Sequence, residues 1–326
     1  MVPDAALVDR FRADLDALSA PGERIGIAVS GGPDSLALLL LAAAARPGLI
    51  EAATVDHALR PESAAEAKFV ASVCRELGVP HVILTAQWEN RPETAIQERA
   101  REARYHLLDA WLAECKVMAL ITAHHADDQA ETLVMRLNRG AGLRGLAGMR
   151  GKAMIPNSNH PLLRPLLGWR RSELEAVCGA AGLEPITDPS NADDRFERVR
   201  VREALANAPW LDPNALARSA MHLGSANAAL DWVVEGLALN RVTDAADALR
   251  VDADGLPAEL QRRLLLHAFA RFHAPEPRGA ELTHALAALS RGETTTLSGL
   301  KLVGGSFWRI SRAPERRGVG ADSTSG

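Results

Sequence analysis

Four short apolar runs, at 25–29, 49–55, 81–86 and 117–123, are separated by stretches with apolar residues at helical spacing, 35–45, 62–77, 93–115 and 127–138. Strand-length runs alternating with amphipathic helices predict a parallel sheet covered by helices, because each crossover between parallel strands needs a helix-sized connection. The expected fold class is α/β, a doubly wound parallel sheet. After about Asn207 the rhythm changes: Pro209 and Pro213 punctuate the chain, and long helical patterns follow at 215–240, 256–272 and 278–290. Two domains are therefore expected, an α/β domain at 1–208 and a mainly helical one at 209–326. The second is expected to end in a hairpin within 294–312, with Thr294-Thr295-Thr296-Leu297 and Phe307-Trp308-Arg309-Ile310 flanking Gly304-Gly305, followed by a disordered polar tail after Gly320.

The first apolar run leads directly into Ser30-Gly31-Gly32-Pro33-Asp34-Ser35, and the apolar helix pattern from Leu36 follows at once. A strand feeding a glycine-rich turn that opens a helix aims several backbone N–H groups at one spot, and the helix dipole makes that spot mildly positive. This is the make-up of a phosphate cradle. No Gly-Lys-Ser/Thr occurs in the chain, so it is not a Walker A loop. The six residues resemble the PP-loop of N-type ATP pyrophosphatases, Ser-Gly-Gly-x-Asp-Ser. That resemblance implies binding of ATP and its cleavage to AMP and pyrophosphate.

Composition narrows the setting. The chain has 326 residues, 47% of them hydrophobic, enough for two buried cores. Cys74, Cys115 and Cys178 stand far apart with no C-x-x-C pair, which argues against disulfides, a zinc site or an iron–sulfur cluster and fits a reducing cytoplasm. The longest apolar stretch is too short to span a bilayer, and charges through 4–14 break any signal-peptide pattern, so no membrane role is expected.

The net charge of −4 does not favour nucleic acid, but its distribution does. Between Thr132 and Ser172 there is no Asp or Glu, while Arg136, Arg139, Arg144, Arg150, Lys152, Arg164, Arg170 and Arg171 supply eight positive charges. With 41 acids in the whole chain, about five would be expected in such a stretch. It reads either as a track for a phosphate backbone or as a solvated basic face.

The densest polar cluster, His124-His125-Ala126-Asp127-Asp128-Gln129-Ala130-Glu131-Thr132, follows the fourth apolar run. Helix capping explains one Asp. Asp128 and Glu131, three apart, share a helix face at the carboxyl end of a strand, which suits a cation, either an ammonium group or Mg²⁺. Gly140-Ala141-Gly142-Leu143-Arg144-Gly145 matches G-x-G-x-x-G in form but follows a helix, so it reads as a helix C-terminus and basic loop. Arg99, Arg101 and Arg104 lie among acids at helical spacing, and Arg195, Arg198, Arg200 and Arg202 follow an Asp/Asn-rich loop.

Taken together with the loop at 30–35, Val55-Asp56-His57-Ala58-Leu59-Arg60, the 97–105 segment, the 124–132 cluster, Arg139-Gly140-Ala141-Gly142, Leu163-Arg164-Pro165-Leu166 and Asp188-Pro189-Ser190-Asn191 resemble the bacterial tRNA(Ile)-lysidine synthetases. The likeness runs over roughly 24–205 in family order and is weaker beyond, chiefly at 256–263 and 279–282. One departure is Val199 after Arg198, where the family has Asn.

The resemblance implies a two-step reaction on the wobble cytidine of the isoleucine tRNA with a CAU anticodon: adenylation of the cytosine C2 oxygen, then displacement of AMP by the ε-amine of free lysine. It implies ATP held by Ser30, Gly31, Gly32, Pro33, Asp34 and Ser35, with Asp34 near Mg²⁺. It further implies lysine held by Asp128 and Glu131, the base or phosphate met by Arg104 and Arg198, and the tRNA backbone met by Arg139, Arg144, Arg150 and Lys152, with a tRNA-binding C-terminal domain. Three rivals remain: a tRNA thiolase, which would need cysteines; a small-molecule amidating synthetase; and a nucleotide-gated RNA-binding module without turnover. The oligomeric state is open between monomer and homodimer.

Overall fold

A computed structural model describes residues 1–60, 62–88, 94, 96–186 and 195–314. The Asp188–Asn191 motif and the tail after Gly320 lie outside these residues. The described chain forms two compact units, Met1–Ser225 and Ala226–Gly326.

The first unit opens with helix α1 (Ala5–Asp16), then β1 (Ile25–Ala28), α2 (Pro33–Ala45), β2 (Ile50–Asp56), α3 (Ser63–Glu76), β3 (His81–Thr85), α4 (Ile96–Cys115), β4 (Ala119–Ile121) and α5 (Ala126–Asn138). These are the four strands and four crossover helices that the apolar pattern predicts, with α1 in addition. The chain continues through α6 (Leu143–Leu146), β5 (Lys152–Met154), β6 (Pro161–Leu163), α7 (Arg171–Ala180), α8 (Glu197–Ala206) and the long α9 (Pro213–Arg241).

The sheet order is β3-β2-β1-β4-β6-β5, parallel throughout except for the β5 edge. Alternation along the strands divides the core. Ile25, Ile27, Ala52 and Ile121 face α1, α2 and α7, whereas Ala53, Leu120 and Leu162 face Tyr105, Leu108, Trp111 and Leu112 of α4. Helix α2 is buried along almost its whole length, from Ser35 to Ala42, because α1 and α7 cover the side turned away from the sheet. Its unbroken Leu run is therefore a core helix rather than an amphipathic one.

The basic stretch between 132 and 172 contains the β5–β6 hairpin, an element without a sequence signal because its three-residue strands do not lie within longer apolar runs such as the one that marks β4. The expected boundary at 208 also differs from the division after Ser225, which falls inside α9. Pro213 opens that helix, a position where the missing N–H costs nothing, and Gly148 of the first unit lies close to the Ala220 methyl of α9.

In the second unit, β7 (Val242–Ala245), β8 (Ala248–Val251), α10 (Ala258–Arg271), α11 (Gly279–Ser290), β9 (Thr294–Leu297), β10 (Leu300–Val303) and β11 (Trp308–Arg312) follow the end of α9. The strands form an antiparallel sheet, β7-β8-β11-β10-β9, packed on the helices through Val251, Leu264, Leu265, Phe269, Leu300, Leu302 and Ile310. Helix outweighs strand, as expected, but the terminal hairpin is corrected to three strands. Ser298 and Gly299, both at positive φ, make a tight turn between β9 and β10, so Gly304-Gly305 joins the second pair rather than the only one. Arg263, buried on α10, binds Asn227 Oδ1 at 2.8 Å and Glu259 Oε1 at 2.8 Å, which accounts for that arginine structurally.

Candidate active site

Strand β1 has β2 and β3 on one side, and the chain then crosses to place β4 on the other. The carboxyl ends of β1 and β4 thus flank the switch point of the sheet, where open α/β sheets bind ligands. The two polar clusters singled out in the sequence leave the sheet there, residues 30–35 after β1 and 124–132 after β4.

The loop after β1 is fixed by its own small residues. Ser35 Oγ accepts from the Ser30 N–H at 3.1 Å and donates to the Gly32 carbonyl at 3.0 Å, closing the turn across its mouth. Gly32 caps α2, and Pro33 takes the first helical position. Gly31 has φ +87, and a Cβ there would lie 2.5 Å from the Ile186 side chain, so a side chain is excluded both by backbone conformation and by space. The Ile186 N–H binds the Gly31 carbonyl at 3.0 Å, and Cys178 Sγ lies 3.2 Å from the Pro33 carbonyl. The cradle is therefore braced from behind by the α7 segment. Asp34 projects from the first turn of α2, and its Oδ1 is buried without a hydrogen-bond partner among the described residues. A buried carboxylate oxygen left without a donor suits a cation.

The turn after β4 is the reverse case, with its carboxylates fully engaged. Asp128 Oδ2 accepts from the His125 backbone N–H at 3.0 Å, half of a capping box, and Asp128 Oδ1 accepts from Arg198 Nη2 at 2.6 Å. Glu131, 2% exposed, accepts from Arg198 Nε at 2.6 Å and Arg202 Nε at 2.7 Å. Arg198 thus spans Asp128 and Glu131. Burial favours the neutral acid at Glu131, but the two guanidiniums outweigh it and hold its pKa below the usual range. Asp127 accepts from the Arg171 N–H at 2.8 Å and from Arg170 Nη2 at 3.0 Å. Here too burial is outweighed, by His125 and Arg170, and the Asp127 pKa falls far below normal. A cavity of about 430 Å³ opens beside this cluster, lined by Asp127, Glu131, Arg170, Arg171, Arg202 and Asp212 among others.

The neighbouring histidines are driven in opposite directions. For His124, burial is the largest effect and lowers the pKa to about 4; Asp128 opposes it, and the guanidiniums of Arg164, Arg198 and Arg104 reinforce it. For His125, burial also acts to lower, but Asp127, Asp34 and Asp128 outweigh it and raise the pKa to about 9. Arg104, on α4, stacks 5.3 Å from the Tyr105 ring centroid. Its positive charge also helps depress His57, at the end of β2, after burial. Arg104, Arg164 and Arg198 therefore converge on His124 from three separate segments.

Against that geometry, comparison with known proteins is decisive. The PP-loop domain family model matches residues 7–208. A tRNA(Ile)-lysidine synthase of Novosphingobium aromaticivorans is 50% identical over 310 residues, 94% of each chain, and one of Zymomonas mobilis is 42% identical over 304 residues, 92% of each. The chain belongs to the tRNA(Ile)-lysidine synthase family. Among solved structures, the U34-tRNA thiolase NcsA from Methanococcus maripaludis with its 4Fe-4S cluster superimposes with a TM-score of 0.55 at 15% identity, covering 67% of this chain and 78% of that one. That likeness carries the fold alone.

In this member of the lysidine synthase family, the acid-free stretch does not act as one basic surface, a correction to the sequence reading. Arg136 turns inward to the Gly145 and Gly148 carbonyls, and Arg164 is buried with its Nη1 on the Arg150 carbonyl at 2.7 Å. Arg170 and Arg171 serve Asp127. Acids from other segments fold against the stretch, as Glu197 does in pairing with Arg139. The exposed members are Arg139, Arg144, Arg150 and Lys152. Val199, the departure noted in the sequence, is buried in α8, which packs on α5.

Of the other residues here, His125 and Arg202 had no role of their own in the sequence reading, Asp127 was covered only by helix capping, and Arg170 and Arg171 were counted only in the basic stretch. A signal existed for one of them: Arg198 and Arg202 are i,i+4 on one helix, complementary to the i,i+3 pair Asp128 and Glu131. Among the described residues, no helix is long and apolar enough to cross a membrane.

Proposed function

We propose that this chain ligates free L-lysine to C2 of the wobble cytidine of a CAU-anticodon isoleucine tRNA in the cytoplasm, at the cost of ATP. In the first step the cytosine C2 oxygen attacks the α-phosphorus of ATP and pyrophosphate leaves. In the second the lysine ε-amine, having lost a proton, attacks C2 and AMP leaves with the oxygen. The observation that carries this reading is the pairing, at one switch point, of a phosphate-cradling turn with a carboxylate pair that already holds a side-chain cation.

Each half has its residues. The backbone of 30–35 receives the phosphates, where charge builds as pyrophosphate departs. Asp34, with its partnerless oxygen, is the residue that would hold Mg²⁺, which supplies charge neutralisation at the phosphates when bound. Asp128 and Glu131 receive the lysine ammonium in exchange for the Arg198 guanidinium, and the cavity walled by Glu131 is the entrance for the free amino acid. Arg198, once released, is available to the adenylated base or its phosphate together with Arg104. Arg139, Arg144, Arg150 and Lys152 receive the tRNA backbone, with the second unit as a further tRNA contact.

Two of the three cysteines, Cys74 and Cys178, lend no support to a thiolase reading. Burial pushes the Cys74 thiol up to about 12 and, with the Asp34 charge, the Cys178 thiol up to about 11, so neither is a nucleophile near neutral pH. The test is a pyrophosphate-release assay with tRNA and lysine each present or omitted. Release that needs the tRNA, and product that needs lysine as well, is the expected outcome. Release independent of tRNA would favour a small-molecule synthetase, and no release would leave an RNA-binding module.

A further inference from the structure

His125 is 1% exposed, and neither ring nitrogen has a hydrogen-bond partner of good geometry among the described residues. Nonetheless the ring is surrounded by carboxylates. Its Nε2 lies 3.5 Å from Asp34 Oδ2 and 3.6 Å from Asp128 Oδ2, and its Nδ1 lies 3.5 Å from Asp127 Oδ2. Asp34 belongs to the turn after β1, and Asp127 and Asp128 to the turn after β4. Nε2 is therefore a single polar atom shared between the two turns.

A group of this kind is costly unless it does something. Removing an imidazole from water with no well-formed hydrogen bond costs more than packing an apolar side chain of equal size, and a Leu in its place would fill the volume without that cost. The neighbours of His125 have other means of support: Asp127 has Arg170 and the Arg171 N–H, and Asp128 has Arg198 and a backbone N–H. Asp34 is the member with least support, its Oδ2 lying 3.8 Å from Arg171 Nη2. When Arg198 gives way to lysine, Asp128 also loses its main side-chain partner. His125 is then the side chain that remains against both.

We propose that His125 is a positioning residue that couples the two half-reactions, its Nε2 setting Asp34 for ATP and Asp128 for lysine from one point. This rests on the reading that Asp34 serves ATP and the Asp128–Glu131 pair serves lysine. His125 touches neither substrate; it acts through the two carboxylates. The consequence is specific, because a change at the shared atom alters affinity for two substrates bound on different turns, while a change at either carboxylate alters one.

The side-chain amide N of Gln reaches about as far as Nε2, and that of Asn about as far as Nδ1, so the two amide variants separate the pivot from the rest of the ring. The experiment measures the Kd of ATP by calorimetric titration, the KM of lysine in the tRNA-dependent reaction, and the thermal midpoint, for wild type, His125→Asn and His125→Gln. His125→Asn loses the pivot and should raise both the ATP Kd and the lysine KM about tenfold, the size of a close polar contact to each carboxylate in a buried site. His125→Gln should restore both to within about threefold of wild type. If His125→Asn does not fold, His125→Ser, which also lacks a donor at the pivot, replaces it with the same expectation.

Asp34→Asn and Glu131→Gln are measured beside them, the first expected to move the ATP Kd alone and the second the lysine KM alone. If these controls split as expected but the pivot-lacking variant moves one constant only, or neither, the coupling is wrong. The same holds if Gln is no better than Asn, or if the loss appears only as a lower kcat and thermal midpoint, which marks a structural role. If the controls themselves do not split, the assignment of carboxylates to substrates fails and the coupling falls with it.

Discussion

The two turns at the switch point are built alike and finished differently. Both follow a central parallel strand, both open a helix, and both carry carboxylates in the first turn of that helix. Yet the turn after β1 is held by glycine, serine and backbone contacts, and leaves Asp34 Oδ1 without a partner among the described residues. The turn after β4 is held by side chains, with arginines from α8 filling Asp128 and Glu131. The first leaves a carboxylate oxygen open; the second is closed by the protein's own cations, one of which gives way on the reading proposed above. An open site gains affinity because nothing need be displaced, whereas a closed site gains selectivity because only a competing cation opens it.

The largest expected effect lies on the open side. Asp34→Ala removes the partnerless carboxylate and should abolish pyrophosphate release while leaving the fold intact, since no core packing is lost in the first turn of α2. Normal pyrophosphate release in this variant would remove the ATP assignment and with it the contrast between the turns.

On the closed side the first consequence is for stability. Arg198→Ala leaves Glu131 buried with one guanidinium in place of two, and should lower stability by about 1–2 kcal/mol, below the range for fully buried pairs because the Arg198 side chain is 42% exposed. Denaturant unfolding measures it. An unchanged midpoint would mean that the Arg198 bridge is too weak to close the site.

A third prediction sharpens the comparison by asking how tRNA arrives. Neutralising Arg144 and Arg150 together should weaken tRNA binding and flatten its salt dependence by about one to two units of slope, leaving ATP affinity unchanged. An unchanged slope would return both residues to a solvated face.

The last effect concerns pH. His124 in the folded chain resists protonation until about pH 4, while the unfolded chain takes up that proton near 6.5. The unfolded state therefore binds more protons in this window, and stability contributed by neutral His124 is lost as pH falls from about 6.5 towards 4. His124→Asn should show a shallower loss of stability over the same interval than wild type. An equal slope would mean that His124 is not kept neutral in the fold.

Most of the sheet was legible because each parallel strand is short, apolar and spaced by a helix, so periodicity alone locates β1 to β4 and α2 to α5. The turn at 30–35 was legible for a related reason: its chemistry is local, with Ser30, Gly31, Gly32 and Ser35 closing on one another. The closed turn was half legible. Asp128 and Glu131 show themselves by spacing on one helix, but their partners Arg198 and Arg202 come from about 70 residues along the chain, and only the i,i+4 spacing of those arginines hints at the meeting. The basic stretch was over-read for the same reason. Its lack of acids is a property of the sequence, and Glu197 and Asp127 supply them in three dimensions. The β5–β6 hairpin and the meander of the second unit were missed or simplified because their short strands lie outside continuous apolar runs of the kind that mark β1 and β4.

The central claim is that the open turn runs adenylation and the closed turn receives lysine. Glu131→Gln tests it most directly, keeping shape and removing one charge from the pair that holds Arg198. Single-turnover pyrophosphate release in the presence of tRNA, measured beside lysine incorporation over a range of lysine concentrations, separates the two steps. The account predicts that pyrophosphate release persists while the lysine concentration needed for product rises about tenfold or more. Loss of pyrophosphate release with unchanged lysine dependence of the residual product would contradict it, and would assign the closed turn to adenylation or to the fold.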